Sequence, residues 1–159
     1  MSAVVSVRWS PDGGAVDIID QRLLPGTLVR RELRTTDEVC DAIRTLAVRG
    51  APAIGVAGAM GLVVALAPHA EEERESFLAH VDELGARIAR VRPTAVNLSW
   101  AIDRMRRIAR QTDGNARAML GALKDEATRI LDEDREMCRR IGEHGLALLG
   151  DGVRVLTHC

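Results

Sequence analysis

The stretch "VRGAPAIGVAGAMGLVVALAP", residues 48–68, decides the fold. An arginine and a glycine lead into Pro52, and seventeen residues from Ala51 to Ala67 then pass without a charge. Spanning a membrane takes about 20 apolar residues, so this run lies at the short limit. Gly55, Gly58 and Gly61 each cost about 1 kcal/mol relative to alanine in a helix interior, so they need a packing reason. Gly55, Gly58, Ala59 and Leu62 recur at helical spacing and make one face of small residues, which a second backbone can approach closely. There is no second hydrophobic segment, and "MSAVVSVRWSPDGG" lacks the basic start and sustained apolar run of a signal peptide. The stretch reads as a buried helix, not a membrane anchor.

Upstream, "AVVSVRW" and "AVDIID" are short runs rich in Val and Ile, separated by "SPDGG". Pro, Asp and Gly in that order are turn chemistry, so the pair reads as a β-hairpin, to which "TLVRREL" adds a third strand. Thr35 and Glu38 stand at capping-box spacing, and Val39, Ile43, Leu46 and Ala47 supply an apolar stripe, which predicts a helix over 36–48. It stops near Gly50, because Ala51 precedes a proline and is pushed out of helical geometry. Pro52 suits the first turn of the next helix, where its missing N–H is not needed.

Downstream, Phe77, Leu78, Val81, Leu84 and Ile88 predict a third helix over 71–91. Arg92-Pro93-Thr94 breaks it, and "AVNLSWAIDRMRRIAR" starts a fourth. "DGN" at 113–115 is a turn. From there to Leu149 the sequence reads as helical in two pieces, with Met119, Leu123, Ala127, Ile130 and Leu131 inward in the first. Gly150 and Gly152 then end the helix, and Val153, Val155 and Leu156 begin a strand, the entry to an α/β layer. The expected fold class is α+β: a small antiparallel β-sheet in residues 1–35, a helical domain over 36–149, and the first strand of a further layer in 150–159.

Composition narrows the function. A chain of 159 residues can bury a proper core or form the first part of something larger, and 47% apolar with 28% charged residues is normal for a soluble globular protein. The net charge of −1 gives no sequence-wide field toward nucleic acid or an anionic membrane. Tyr is absent, and two Trp and one Phe make a poor stacking platform for single-stranded nucleic acid. Cys40, Cys138 and Cys159 form no metal-ligand pair and leave one odd thiol, which fits a reducing cytoplasm. Cys40 and Cys138 fall within predicted helices and read as packing residues. "EEERE" at 71–75 and "RMRR" at 104–107 read as solvated helix faces. His69, His80 and His144 show no ligand spacing, so neither a metal nor a cofactor is implied.

Two places share one design. Arg49-Gly50-Ala51-Pro52 and Arg92-Pro93-Thr94 each put an arginine before a proline-opened helix. Helix N-termini present unpaired N–H groups and a partial positive charge, and a guanidinium adds charge-assisted hydrogen bonds. Gly50 has no Cβ, so a ligand can reach the backbone there. A phosphate-type anion site is the functional reading; the competing one is two ordinary helix starts with solvated arginines. Cys159 lies at the C-terminal end of the expected strand, where open α/β sheets place ligands. A thiol there, near anion-binding helix ends, would be reactive, whereas the bland reading is a buried structural cysteine. His158 alternates with Cys159 across the strand and points to the opposite face, which disfavours a Cys–His nucleophilic pair.

"DQRLLPG", "AIRTLAVRGAPAIGVAGAMG", "RPTAVNLSWAIDRM", "IGEHG" and the terminal "VLTHC" resemble, in that order, the S-methyl-5-thioribose-1-phosphate isomerases of methionine salvage. The same layout is similar to that of the ribose-1,5-bisphosphate isomerases and of the regulatory subunits of the translation-initiation guanine-nucleotide exchange factor. The resemblance implies an aldose–ketose isomerase that converts 5-methylthioribose 1-phosphate to 5-methylthioribulose 1-phosphate. It implies that Arg49, Gly50, Ala51 and Arg92 hold the substrate's phosphate and that Cys159 is catalytic. An acid/base aspartate further on, in a Rossmann-like second domain, would be its partner. It further implies a cytoplasmic homodimer that uses a small-molecule sugar phosphate and no nucleic acid, membrane or cofactor. The family continues past Cys159 with asparagine, alanine and glycine, so the chain reads as the N-terminal half, not expected to be active alone: a fragment, a truncated gene or one part of a split protein. The alternative is a non-catalytic regulatory or sugar-phosphate-sensing subunit of the exchange-factor type.

Overall fold

Pro11-Asp12-Gly13-Gly14 folds the first two strands onto each other, Gly13 taking the left-handed φ of 69° that its lack of a Cβ allows. Ser10 N–H donates to the Ala15 carbonyl at 2.9 Å to close the turn. The computed structural model describes residues 4–156. In it β1 (Val7–Trp9), β2 (Val16–Ile19) and β3 (Arg30–Leu33) form one antiparallel sheet in the order β1-β2-β3. Val7 pairs with Ile18, and Val16 with both Trp9 and Leu33, so Val7, Val16, Ile18 and Leu33 turn into the core. On the other face Asp17 is buried between the guanidinium groups of Arg8 and Arg30, at 2.7 and 2.8 Å. A buried carboxylate is tolerable only with such partners.

Five helices follow. The Thr35 side chain accepts from Glu38 N–H, the Glu38 carboxylate accepts from Thr35 N–H, and this capping box opens α1 (Thr36–Arg44). α1 ends before residue 48, because Leu46 takes a positive φ of 61° and turns Ala47 and Val48 into the core. α2 (Ala51–Leu66) is the 48–68 stretch and is buried from Ile54 through Leu66. Helical geometry already begins at Ala51, not after it. α2 packs against α1, α3 (Arg74–Ala89), α4 (Val96–Gln111), α5 (Ala116–Leu146), β1 and β2, and is the axle of the domain. Fully buried side chains of the size of Met60, Leu62 and Leu66 each contribute roughly 1.5–3 kcal/mol of transfer free energy. The helix is long and apolar enough to cross a membrane by composition, yet its surroundings are protein.

The glycines of α2 have the packing reason their cost demanded. A Cβ on Gly55 would lie 2.8 Å from the backbone oxygen of Asn97, and one on Gly58 would run into Leu98, so α4 sits directly on that small-residue face. Gly61 serves another face, where a Cβ would meet Val39 of α1.

α5 is one helix of 31 residues, not two pieces. Asn115 caps its start by accepting from Ala118 N–H, and no proline interrupts it. Met119, Leu123, Ala127, Ile130 and Leu131 are buried as their spacing predicts. Beyond them the helix is exposed and carries its own ladder of Arg135–Asp132, Arg139–Glu136 and Arg139–Glu143 pairs, each of about 0.3–0.5 kcal/mol. Val153, Val155 and Leu156 are exposed and form no strand, because a strand exists only through a hydrogen-bonding neighbour and none faces them among the described residues.

Candidate functional site

The loop of "DQRLLPG" holds the lead-in to α2. Asp20 is buried, and its carboxylate accepts from Arg22 Nε at 2.8 Å and Arg31 Nη1 at 3.2 Å. The Arg22 guanidinium first, and Arg31 after it, hold Asp20 well below the usual carboxylate range. From this anchored loop Gln21 N–H donates to the Ala47 carbonyl at 3.0 Å, and Gln21 Nε2 to the Arg49 carbonyl at 3.4 Å. Gly50 then takes a φ of 95°, a region that glycine alone enters at little cost, and α2 begins. Its N-cap makes no side-chain hydrogen bond and Pro52 brings no N–H, so the N–H groups of Ala51 and Ala53 have no side-chain acceptor.

α4 does not start as expected: Pro93 lies outside the helix, which begins at Val96, so the proline-opened start is found at α2 and not at α4. Arg92 lies half-buried in the turn after α3, its carbonyl accepting from Ala95 N–H at 2.9 Å. Ala95 is the N-cap, again without a side-chain hydrogen bond, and Val96 is exposed. By contrast α1 and α5 are capped by Thr35 and Asn115, while α3 also starts without a side-chain cap. The close approach at Gly55 sets the first turns of α2 and α4 side by side, so both partial positive charges open on one side of the domain.

Between them runs an apolar groove of about 400 Å³. Pro52, Gly55 and Val56 line it from α2, Val96, Asn97 and Trp100 from α4, and Ile130, Glu133, Asp134 and Met137 from α5, whereas Arg49, Gly50, Ala51 and Arg92 are not among its lining residues. Arg104 stacks 5.3 Å from the Trp100 ring centre and pairs with Glu126 and Glu133, which fixes the wall where α4 meets α5. Glu133, more than any other group, lifts the Arg104 pKa above its ordinary value.

Arg49 and Ala51 are exposed, Gly50 is the turn residue between them, and Arg92 stands beside the second helix start. Among the described residues neither the Arg49 nor the Arg92 guanidinium has a hydrogen-bond or ion-pair partner, although most arginines of the chain do. Cys159 lies outside the described residues. The groove wall from Trp100 and α5 is a feature that sequence spacing missed, since its members are far apart in the chain.

Three surface readings are corrected. "RMRR" is not a solvated face, because Met105 is buried, Arg104 is engaged as above, and Arg106 reaches the Asp82 carbonyl at 2.9 Å beneath Gly85. In "EEERE", Arg74 donates to the carbonyls of Thr112 and Gly114 instead of facing solvent alone. Cys40 is buried as expected, but Cys138 is exposed on the outer half of α5.

Residues 47–159 match the initiation factor 2 subunit family. The chain belongs to that family. Over 156 residues it is 54% identical to the methylthioribose-1-phosphate isomerase of Gemmatimonas aurantiaca, covering 98% of this chain and 45% of that protein. It is also 47% identical to the 5-deoxyribose 1-phosphate isomerase of Moorella thermoacetica, covering 98% of this chain and 44% of that protein. The chain thus spans about half the length of the curated relatives it matches. Among solved structures, 5-methylthioribose 1-phosphate isomerase from Pyrococcus horikoshii superposes with a TM-score of 0.87 at 32% identity, over 95% of this chain and 42% of that one. Subunit delta of translation initiation factor eIF-2B from A. fulgidus gives 0.85 at 35% identity, over 94% and 43%. The small antiparallel sheet with helices is the fold this family shares.

Proposed function

We propose that this chain supplies the phosphate-holding part of an aldose–ketose isomerase acting on 5-methylthioribose 1-phosphate in methionine salvage, in a cytoplasmic homodimer. The observation that supports the reading is the pair of helix starts without side-chain caps, α2 and α4, whose residues Pro52 and Val96 line one groove, while among the described residues the preceding Arg49 and Arg92 have no partner. Phosphate is the anion such a pair suits, because backbone N–H groups and planar guanidinium forks match its oxygens. The apolar groove between them gives the substrate's uncharged end a dry wall and strengthens every charge interaction nearby.

A sugar phosphorylated on C1 cannot open its ring as a free aldose does. The ring oxygen must take a proton as its bond to C1 breaks. The hydrogen on C2 must move to C1, and the C2 hydroxyl must lose its proton to become the ketone. Arg49, Arg92 and the backbone at Gly50 and Ala51 hold the phosphate through these steps. Cys159, in "THC", serves the proton movements at the reacting carbons.

The test is a chimera in which this chain replaces the matching segment of the G. aurantiaca isomerase. Loss of one charged hydrogen-bonding group costs about 1.5–3 kcal/mol, so Arg49→Ala and Arg92→Ala each lower kcat/KM roughly ten- to a hundredfold. Cys159→Ser removes turnover. Full activity in all three variants rejects the assignment. A second reading rests on the likeness to the eIF-2B delta subunit: a non-catalytic sensor of the same ligand class. A chimera that binds sugar phosphate in calorimetry without turning it over favours that reading.

A further inference from the structure

At the far end of α2 from the groove, about 24 Å away along a 16-residue helix, three polar side chains converge. His69 closes the 3-10 turn Ala67–His69 that follows α2, Glu72 lies in the next loop, and His80 comes from the second turn of α3. His69 Nδ1 is 2.7 Å from one Glu72 oxygen, and His80 Nε2 is 3.2 Å from the other. The two imidazole rings are stacked with centres 3.7 Å apart at 26°. One ligand atom from each residue lies within 4.8 Å of the other two.

We propose that His69, Glu72 and His80 form a binding site for one divalent transition-metal ion of the Zn²⁺ type, with the remaining coordination position left to water. Two neutral imidazole nitrogens and one carboxylate oxygen are a donor set that such ions take, and the chain spacing hides it because the ligands come from two helical elements. Tetrahedral zinc with bonds of about 2.0–2.2 Å places its ligand atoms about 3.4 Å apart and the centres of two bound imidazoles about 5 Å apart, so binding requires the two stacked rings to splay as their nitrogens converge.

His69 hydrogen-bonds one Glu72 oxygen, and His80 Nε2 stands 3.2 Å from the other. The Ser76 hydroxyl donates to the second Glu72 oxygen at 2.5 Å, which orients the carboxylate as partners of ligating groups do. Ser76 chiefly, and His69 after it, bring the Glu72 pKa down to about 2. The three side chains are 26%, 36% and 29% exposed, open enough for an ion to enter and buried enough to be held. Binding ties the turn after α2 to α3 and leaves the groove at the other end untouched.

The experiment is calorimetry of the full 159-residue chain with Zn²⁺ after its accessible thiols are alkylated under native conditions, paired with thermal unfolding and with NMR of the histidine ring protons. One saturable site per chain is expected, with a rise in Tm that a chelator reverses and shifts confined to His69 and His80. His80→Ala and the shape-conserving Glu72→Gln each weaken binding by about tenfold or more, whereas His144→Ala does not. Absence of saturable binding, or binding that survives both substitutions or depends on His144, overturns the proposal. If His80→Ala fails to fold, Glu72→Gln decides alone.

Discussion

Gly55→Ala tests the packing that sets the two helix starts together. The new methyl would stand 2.8 Å from the Asn97 oxygen and 3.3 Å from its carbonyl carbon, and both belong to backbone that cannot rotate aside. Relief requires α4 to move away from α2 as a body. In an unobstructed helix the same change gains about 1 kcal/mol of helix propensity. Gly121 of α5 supplies that reference, being exposed with nothing within 4 Å of a built Cβ. The propensity gain is common to both, so Gly55→Ala should be less stable than Gly121→Ala by the overpacking cost alone, about 1–3 kcal/mol. With a urea dependence near 2 kcal/mol per molar, the unfolding midpoints read by far-UV circular dichroism should differ by about 0.5–1.5 M. Equal midpoints for the two variants would mean that α4 does not rest on Gly55, and the groove between the helix starts would lose its physical basis.

The capping box of α1 predicts a pH dependence. Arg34 N–H foremost, and the Thr35 hydroxyl and N–H, hold Glu38 below its ordinary value, so its contribution is complete above the unfolded-state pKa and is lost as pH falls through the depressed folded value. The stability gap between the parent chain and Glu38→Gln should therefore shrink on acidification, and a gap that widens contradicts the assignment. Burial pushes the Cys40 thiol pKa up, while Cys138 is exposed. Peptide mapping after brief alkylation should find Cys138 modified and Cys40 protected until denaturant is added; modification at equal rates would place Cys40 outside the core.

What the sequence made legible was local. The turn at Pro11–Gly14, the capping box at Thr35 and Glu38, the proline at the start of α2 and the inward stripe of α5 are each written in a few adjacent residues. The small-residue face of α2 was readable too, because Gly55 and Gly58 cost stability unless something sits on them. The early end of α1 was not, since Leu46 is forced to positive φ by the need to bury Ala47 and Val48. The unbroken α5 was missed because its inward apolar stripe stops at Leu131, yet the helix runs on to Leu146 through an exposed, charged half. The α5 wall of the groove and the His69–Glu72–His80 cluster depend on how helices come together, and one-dimensional spacing carries no trace of that. The residues that line the groove from α5, Ile130, Glu133, Asp134 and Met137, lie far in sequence from the helix starts they face and could not be read from spacing.

The central place of α2 bears on how the chain is made. Only the sheet and α1 precede it, while α3, α4 and α5, which cover the rest of it, are synthesised later. Translation at about 5–20 residues per second leaves roughly 3–13 s between the emergence of Leu66 and that of Leu131. Throughout that interval the ribosome displays a greasy, uncharged rod that a lipid-targeting or holding factor would recognise as readily as its own clients. Slowing elongation between Leu66 and Leu131 should therefore raise the share lost to aggregation.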